Sequence, residues 1–238
     1  MQNTLPSPID PILLVTEIFH SLQGETSAAG LPFTFIRLTG CNLRCTYCDT
    51  SYAFKGQNRL RISEILNQVR AFPARRCLLT GGEPLLQRPV DQLVDALNKE
   101  GFTVSIETHG FAPIQNVCQK ARIVLDVKTP GSQTFKLHYQ STLDANLRLL
   151  KPQDEIKFVI TSFSDYVWTK TFIQKNLQNI APGIEILLSP AMAAPHQPGH
   201  FEGISPQALA EAILHDGLPV RFQMQLHKWI WGPHTQGV

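Results

Sequence analysis

The chain has little net charge and no block of one sign: 21 Lys and Arg stand against 19 Asp and Glu, a formal balance of +2 over 238 residues. Proteins that bind nucleic acid usually gather basic residues on one face or in runs. No such run occurs here, so nucleic acid is not an expected partner. Also missing is any apolar stretch of the ~20 residues that a membrane helix needs, so no membrane partner is expected. Residues 1–11 are polar and contain proline, without the basic start and apolar core of a secretory signal, which leaves the cytoplasm as the expected location. There is no fixed repeat and no low-complexity tract. With 43% hydrophobic and 17% charged residues the composition is that of a folded globular protein, and the length suits one domain over 1–238.

Cysteine is sparse and unevenly placed. Of five, three fall within eight residues as Cys41, Cys45 and Cys48. That clustering fits metal or cluster ligation in a reducing compartment better than a secreted disulfide framework. Cys77, in an apolar run, and Cys118, in a helix-like stretch, read as small buried hydrophobes.

Short apolar, β-branched runs recur at 33–38, 77–80, 102–106, 123–127, 156–160, 184–188 and 220–226, spaced like strands. Helical periodicity lies between several of them: Ile62, Ile65, Leu66 and Val69; Val90, Leu93, Val94 and Leu97 before Gly101; and Leu209, Ala212 and Ile213. Such alternation predicts an α/β fold of βαβ units with a parallel sheet, whose ligands gather at the carboxyl ends of the strands. The cysteine loop, Gly81-Gly82-Glu83-Pro84, Glu107-Thr108 and Lys128-Thr129-Pro130 each follow a predicted strand, so all four are expected on one rim. Residues 189–203 are read as a long functional loop.

Spacing Cys-x3-Cys-x2-Cys lets three thiolates of one loop hold three corners of an iron–sulfur cube, with Gly40 freeing the backbone to turn into the site. A fourth thiolate would close the cluster coordinatively, whereas three leave an iron open to a small molecule. Zinc is the rival metal: a structural site wants four protein ligands, and the absent second Cys-x2-Cys pair would have to be replaced by His109 or His138. In Gly81-Gly82-Glu83, two glycines permit close backbone approach and a carboxylate can accept from an ammonium.

The cysteine motif, with Tyr47 before its last cysteine, resembles that of the radical S-adenosylmethionine (SAM) enzymes, and Thr80-Gly81-Gly82-Glu83-Pro84 is similar to the segment with which they bind the amino group of SAM. A narrower resemblance, carried by Glu17 to Glu25, Phe35-Ile36-Arg37-Leu38, Cys48-Asp49-Thr50, Glu107-Thr108, Asp154 to Val159 and Gln225-Leu226-His227-Lys228, is to the small radical SAM lyases of queuosine and deazapurine biosynthesis. It implies a partial TIM-type barrel. The implied reaction contracts the ring of 6-carboxy-5,6,7,8-tetrahydropterin to a carboxylated deazaguanine with loss of ammonia, through a radical generated on SAM rather than on a catalytic side chain.

The resemblance also implies roles. Cys41, Cys45 and Cys48 would hold a [4Fe-4S] cluster, and Thr50 a magnesium ion. Tyr47, Gly82, Glu83, Glu107, Asp126, Val127, Lys128, Ser189, Pro190, Ala191 and Met192 would contact SAM. Leu22, Gln23, Gly24, Arg37, Thr80 and Pro233 would contact the pterin. A flavodoxin- or ferredoxin-type electron donor and a homodimer are expected with it. Trp229 and Trp231, on a strand-like stretch, are read as packing or dimer-interface residues, and His227 as a hydrogen-bonded core residue. Two alternatives remain open: a small radical SAM activase of another protein, and a non-catalytic iron–sulfur or zinc module.

Overall fold

A computed structural model describes residues 10–56, 58–134, 139–176, 178, 180–192, 203–232 and 235–238. Among the described residues nine strands form one sheet: β1 (Ile12–Leu22), β2 (Pro32–Leu38), β3 (Arg59–Arg61), β4 (Arg76–Gly81), β5 (Thr103–Thr108), β6 (Arg122–Asp126), β7 (Glu155–Ile160), β8 (Glu185–Pro190) and β9 (Arg221–Phe222). Their order is β3-β1-β2-β4-β5-β6-β7-β8-β9. From β2 to β9 every neighbouring pair is parallel, while β1 runs antiparallel to β2 and β3. β3 and β9 are the sheet's two edges, so the barrel is partial, as expected.

The pleat sorts side chains between two environments, because successive residues of a strand point to opposite faces. On β6, Ile123 and Leu125 join the large apolar core, and on β7 Ile156, Phe158 and Ile160 do the same. This layer packs under the helices α1 (Ile62–Arg70), α2 (Val90–Lys99), α3 (Gln140–Leu149), α4 (Phe163–Asn176) and α5 (Pro206–Asp216). In α2 the apolar positions Val90, Leu93, Val94 and Leu97 fall at helical spacing and are all buried, each contributing about 1.5–3 kcal/mol. The Ser205 hydroxyl caps α5 by accepting from the Ala208 amide at 3.1 Å. On the other face, Phe19, Phe33, Phe35 and Leu78 form a smaller cluster in which Phe19 and Phe35 stack at 4.8 Å. Glu107, Asp126 and Lys157 share that face with the neutral Thr80, Val159 and Ser189.

The open side of the barrel is bridged by the β1–β2 connection. Leu226 donates its amide to the Gly24 carbonyl at 2.8 Å, and the Thr26 amide donates to Gln223 Oε1 at 2.9 Å. The C-terminal segment is thereby tied to the first hairpin.

Sequence periodicity places β2 and β4–β8 within a few residues of their observed bounds. It does not announce β1, whose Thr16, Glu17, His20 and Ser21 interrupt the apolar pattern. It also misses α3 and α4, since Asn146, Asp165, Thr169 and Asn176 are polar residues on the buried faces. The expected strand at 220–226 is corrected: β9 has two residues, and Leu226–Ile230 form a short helix, α6. Trp229 is 69% exposed there and Trp231 follows its end, so neither lies on a strand. Cys77 and Cys118 are buried, as expected.

Candidate functional site

A cavity of about 500 Å³ opens at the carboxyl ends of the parallel strands. Its wall includes Cys41, Cys45, Tyr47, Cys48 and Thr50 from the loop after β2, Thr80 and Gly82 from the end of β4, and Glu107, Asp126 and Lys128 from β5 and β6. Leu22, Gln23, Gly24 and Arg37 line it, as do Ser189, Pro190, Ala191 and Met192. Residues 193–202, the rest of the expected long loop, lie outside the described residues, as do Pro233 and His138.

Two predicted contacts are not in the wall. Val127 is fully buried in the helix-side core, where the pleat sends it while Asp126 and Lys128 face the cavity. Glu83 is likewise fully buried, and its carboxylate accepts from the Leu85 amide at 3.0 Å, the Thr108 hydroxyl at 2.8 Å and the His109 amide at 2.9 Å. It fastens the ends of β4 and β5 together.

The glycines serve the contact between two loops. Gly81 sits at φ +127°, and a Cβ at Gly82 would lie 2.0 Å from the Gly40 carbonyl oxygen. Two backbone bonds close this contact, Gly82 N–H to the Leu38 carbonyl at 3.0 Å and Glu83 N–H to the Gly40 carbonyl at 2.7 Å. Gly40 itself has φ +98°, so it turns the chain into the cysteine loop. Burial pushes the Cys41 thiol up, and the Cys48 thiol up to about 11, as removal from water penalises a thiolate.

His109 is not placed to act as a fourth ligand. Its Nδ1 accepts from the Phe111 amide at 3.0 Å, which puts the ring proton on Nε2, 2.8 Å from Asn42 Oδ1. Burial lowers its pKa, favouring this neutral form. Among the described residues no three His, Cys, Asp or Glu side chains converge as ligands of one ion. A cubane offers a separate iron to each thiolate, so its three cysteines need not converge on one ion.

Within the same cavity, Lys157 from β7 bridges two carboxylates. Its ammonium is 2.8 Å from Glu107 Oε1 and is also bonded to Glu25. Burial works against the charge, but attraction to Glu107 and Glu25 outweighs it and raises the Lys157 pKa well above the usual value. The two carboxylates then diverge. Burial raises Glu107 more than the shared cation lowers it, whereas at Glu25 burial is outweighed by Lys157 and by hydrogen bonds from Lys157 and Gln225. A second buried pair, Lys128 and Asp126 at 2.7 Å, stands beside the Tyr47 ring. Periodicity does not single out Lys157 or Glu25; the signal for Lys157 is a lone cation in the middle of an otherwise apolar strand.

Arg37 is caged. Glu17 accepts from its Nε at 2.6 Å, and its guanidinium lies over the rings of Phe19 and Tyr52 at 5.6 and 5.7 Å. The Tyr52 hydroxyl donates to the same Glu17 oxygen at 2.9 Å. Among the described residues the terminal nitrogens of Arg37 have no partner, so the fork is fixed at its base and open at its tip. Gln23 is 5% exposed, lines the cavity, and accepts from the Glu25 amide at 3.2 Å through its amide oxygen. Gly24 must be glycine, for a Cβ there would meet His227 Nδ1 at 2.2 Å. His227 lines the cavity rather than sitting in a strand-packed core. Thr50 donates to Asp49 Oδ1 at 2.9 Å. Desolvation at Asp49 is overcome by Lys228, Gln225 and Thr50, which hold its carboxyl below the usual range.

Comparison with known proteins gives a consistent picture. Residues 35–161 match the model of the Radical SAM superfamily. The chain is 39% identical over 227 residues to a 7-carboxy-7-deazaguanine synthase from Chlorobaculum tepidum, covering 95% of this chain and 97% of that one. It is 41% identical over 233 residues to the enzyme of the same name from Koribacter versatilis, covering 94% and 99%. Among solved structures, QueE from Escherichia coli shares the fold at a TM-score of 0.67 with 21% identity, over 91% of this chain and 95% of that one.

Proposed function

The chain belongs to the radical SAM superfamily and, within it, to the 7-carboxy-7-deazaguanine synthase family, and from that membership we propose that it converts 6-carboxy-5,6,7,8-tetrahydropterin to 7-carboxy-7-deazaguanine with loss of ammonia. The observation that carries this reading is the sharing of one cavity by the three cysteines, the caged Arg37 fork and the Glu25-Lys157-Glu107 bridge. A cation held open-ended suits a carboxylate on the substrate, and a polar wall beside it suits a heterocycle rich in donors and acceptors.

The residues fit the family's cofactors. Cys41, Cys45 and Cys48 share a wall, and bonding to iron, which would displace their protons to solvent, would offset the burial that raises the Cys41 and Cys48 thiols. When bound, a [4Fe-4S] cluster with SAM on its open iron would supply the 5′-deoxyadenosyl radical that takes hydrogen from the substrate. Gly82, Tyr47, Asp126, Lys128 and residues 189–192 bound the volume assigned to SAM. Glu83 acts from behind, by fixing the 80–83 turn and Thr108, and Val127 through the backbone bond from its amide to the Lys157 carbonyl at 2.9 Å.

Arg37 orients the pterin carboxylate, and Thr50 offers an oxygen to a magnesium ion there. Leu22, Gln23, Gly24 and Thr80 bound the ring. Glu107 bounds the same cavity as a SAM contact, with Lys157 fixing one of its oxygens at 2.8 Å and the Thr80 hydroxyl donating to the other at 3.4 Å. In solution we expect a homodimer reduced by a small flavodoxin- or ferredoxin-type donor.

The test is anaerobic reconstitution followed by incubation with reductant, SAM, magnesium and the carboxylated tetrahydropterin. The expected result is about four irons per chain and equimolar ammonia and deazapurine. An intact cluster that forms neither product would refute the substrate assignment and favour an activase.

A further inference from the structure

The turn after β6 touches the cysteine loop at a sulfur. Thr134 Oγ1 lies 3.7 Å from Cys45 Sγ, and Thr134 is 5% exposed. The contact is built from both sides. Thr46 donates its hydroxyl to the Gly131 carbonyl at 2.8 Å and its amide to the Ser132 carbonyl at 3.2 Å. Behind the turn, Asp165 of α4, 2% exposed, accepts from the Gly131 amide and the Thr129 hydroxyl, both at 2.9 Å, and from the Thr161 hydroxyl at 2.6 Å. A Cβ on Gly131 would fall 2.0 Å from Thr161 Oγ1. A buried carboxylate therefore bolts the turn to α4 while Thr46 bolts it to the cysteines.

Counting protons fixes the direction of the sulfur contact. Each hydroxyl has one proton to give. Ser132 gives its own to the Thr129 carbonyl at 2.7 Å, and its oxygen accepts from the Thr134 amide at 3.2 Å. The Thr134 hydroxyl has two neighbours, Ser132 Oγ at 2.9 Å and Cys45 Sγ. A protonated Cys45 can donate to Thr134, which then points at Ser132. A thiolate has no proton and can only accept, and a charge-assisted bond outweighs a neutral one to an oxygen that already has a donor.

We propose that Thr134 is a positioning residue that donates a hydrogen bond to the Cys45 thiolate and thereby raises the reduction potential of the cluster bound there. The inference rests on the functional reading above, since it requires Cys45 to ligate iron. Added electron density on a cluster resides partly on its sulfurs, so a donor to a ligating sulfur stabilises the reduced form more than the oxidised one.

The experiment is an anaerobic redox titration, followed by EPR, of reconstituted wild type, Thr134→Val and Thr134→Ser. Val keeps the shape and removes the donor; Ser keeps the donor. The expected result is a midpoint potential more negative in Thr134→Val than in wild type, with Thr134→Ser close to wild type. Should the Val variant take up less iron, the same contrast is read from iron content: retention in Ser supports the bond, and equal loss in both assigns the effect to packing and overturns it. A wild-type cluster whose potential Thr134→Val leaves unmoved overturns this inference alone. A wild type that binds no iron overturns the functional reading as well.

Discussion

Replacing Lys157 by Met would remove the cation that two carboxylates share and leave the apolar stem in place. The Lys157 side chain is 6% exposed, against 12% for Glu25 and 25% for Glu107, so bulk water does little to screen the loss. Removing one partner of a buried ion pair costs about 3–5 kcal/mol. In a chain of this length each kcal/mol moves the melting temperature by about 2–4 °C, so a drop of roughly 6–20 °C is expected at neutral to mildly alkaline pH. The loss should shrink in acid. Without Lys157 both folded-state carboxyl pKa values rise above the unfolded values, so the folded state binds more protons. Stability then increases as pH falls through that window, and the variant approaches wild type below it. Melting curves of both proteins from pH 5 to 8.5 read this directly. A temperature offset that is the same at every pH would refute the reasoning. So would a K157M/E25Q double variant no more stable than K157M.

Other substitutions probe separate parts of the cavity. Gly82→Ala pushes a methyl into the Gly40 carbonyl and breaks two inter-loop backbone bonds, which together are worth about 1–3 kcal/mol; the expected outcome is poor iron incorporation, and normal iron content would count against the loop contact. Arg37→Lys cannot both hold Glu17 and present a fork, so KM for the pterin should rise about 10–100-fold, from the 1.5–3 kcal/mol of a charged hydrogen bond, while SAM-induced EPR changes persist. Gln23→Ala should raise the same KM about 3–10-fold through loss of a neutral hydrogen bond. An equal loss of SAM affinity would place Gln23 elsewhere.

The rim was legible in the sequence because βαβ alternation says where loops converge, and the cysteine spacing and Gly-Gly-Glu fall on those loops. Less legible was the division of labour within each segment. Val127 and Glu83 lie beside residues of the wall but point away, since a period of two sends neighbours to opposite faces and a buried carboxylate must satisfy its oxygens locally. β1 and α4 escaped notice for the same underlying reason: their buried faces carry Glu17, Asp165 and Thr169, polar residues held by specific partners rather than by an apolar stripe. Lys157 and Glu25 are understood only as a bridge between β7 and the first hairpin, 132 residues apart in the chain. The contact of Thr134 with Cys45 is likewise a product of the fold, spanning 89 residues.

The central claim is that SAM and the pterin meet in one cavity against the same three cysteines. It is tested most directly by EPR of the reduced, reconstituted protein, recorded alone, with SAM, and with SAM and the pterin together. The account predicts that SAM changes the cluster signal and that the pterin perturbs it further. A signal indifferent to SAM would contradict the account.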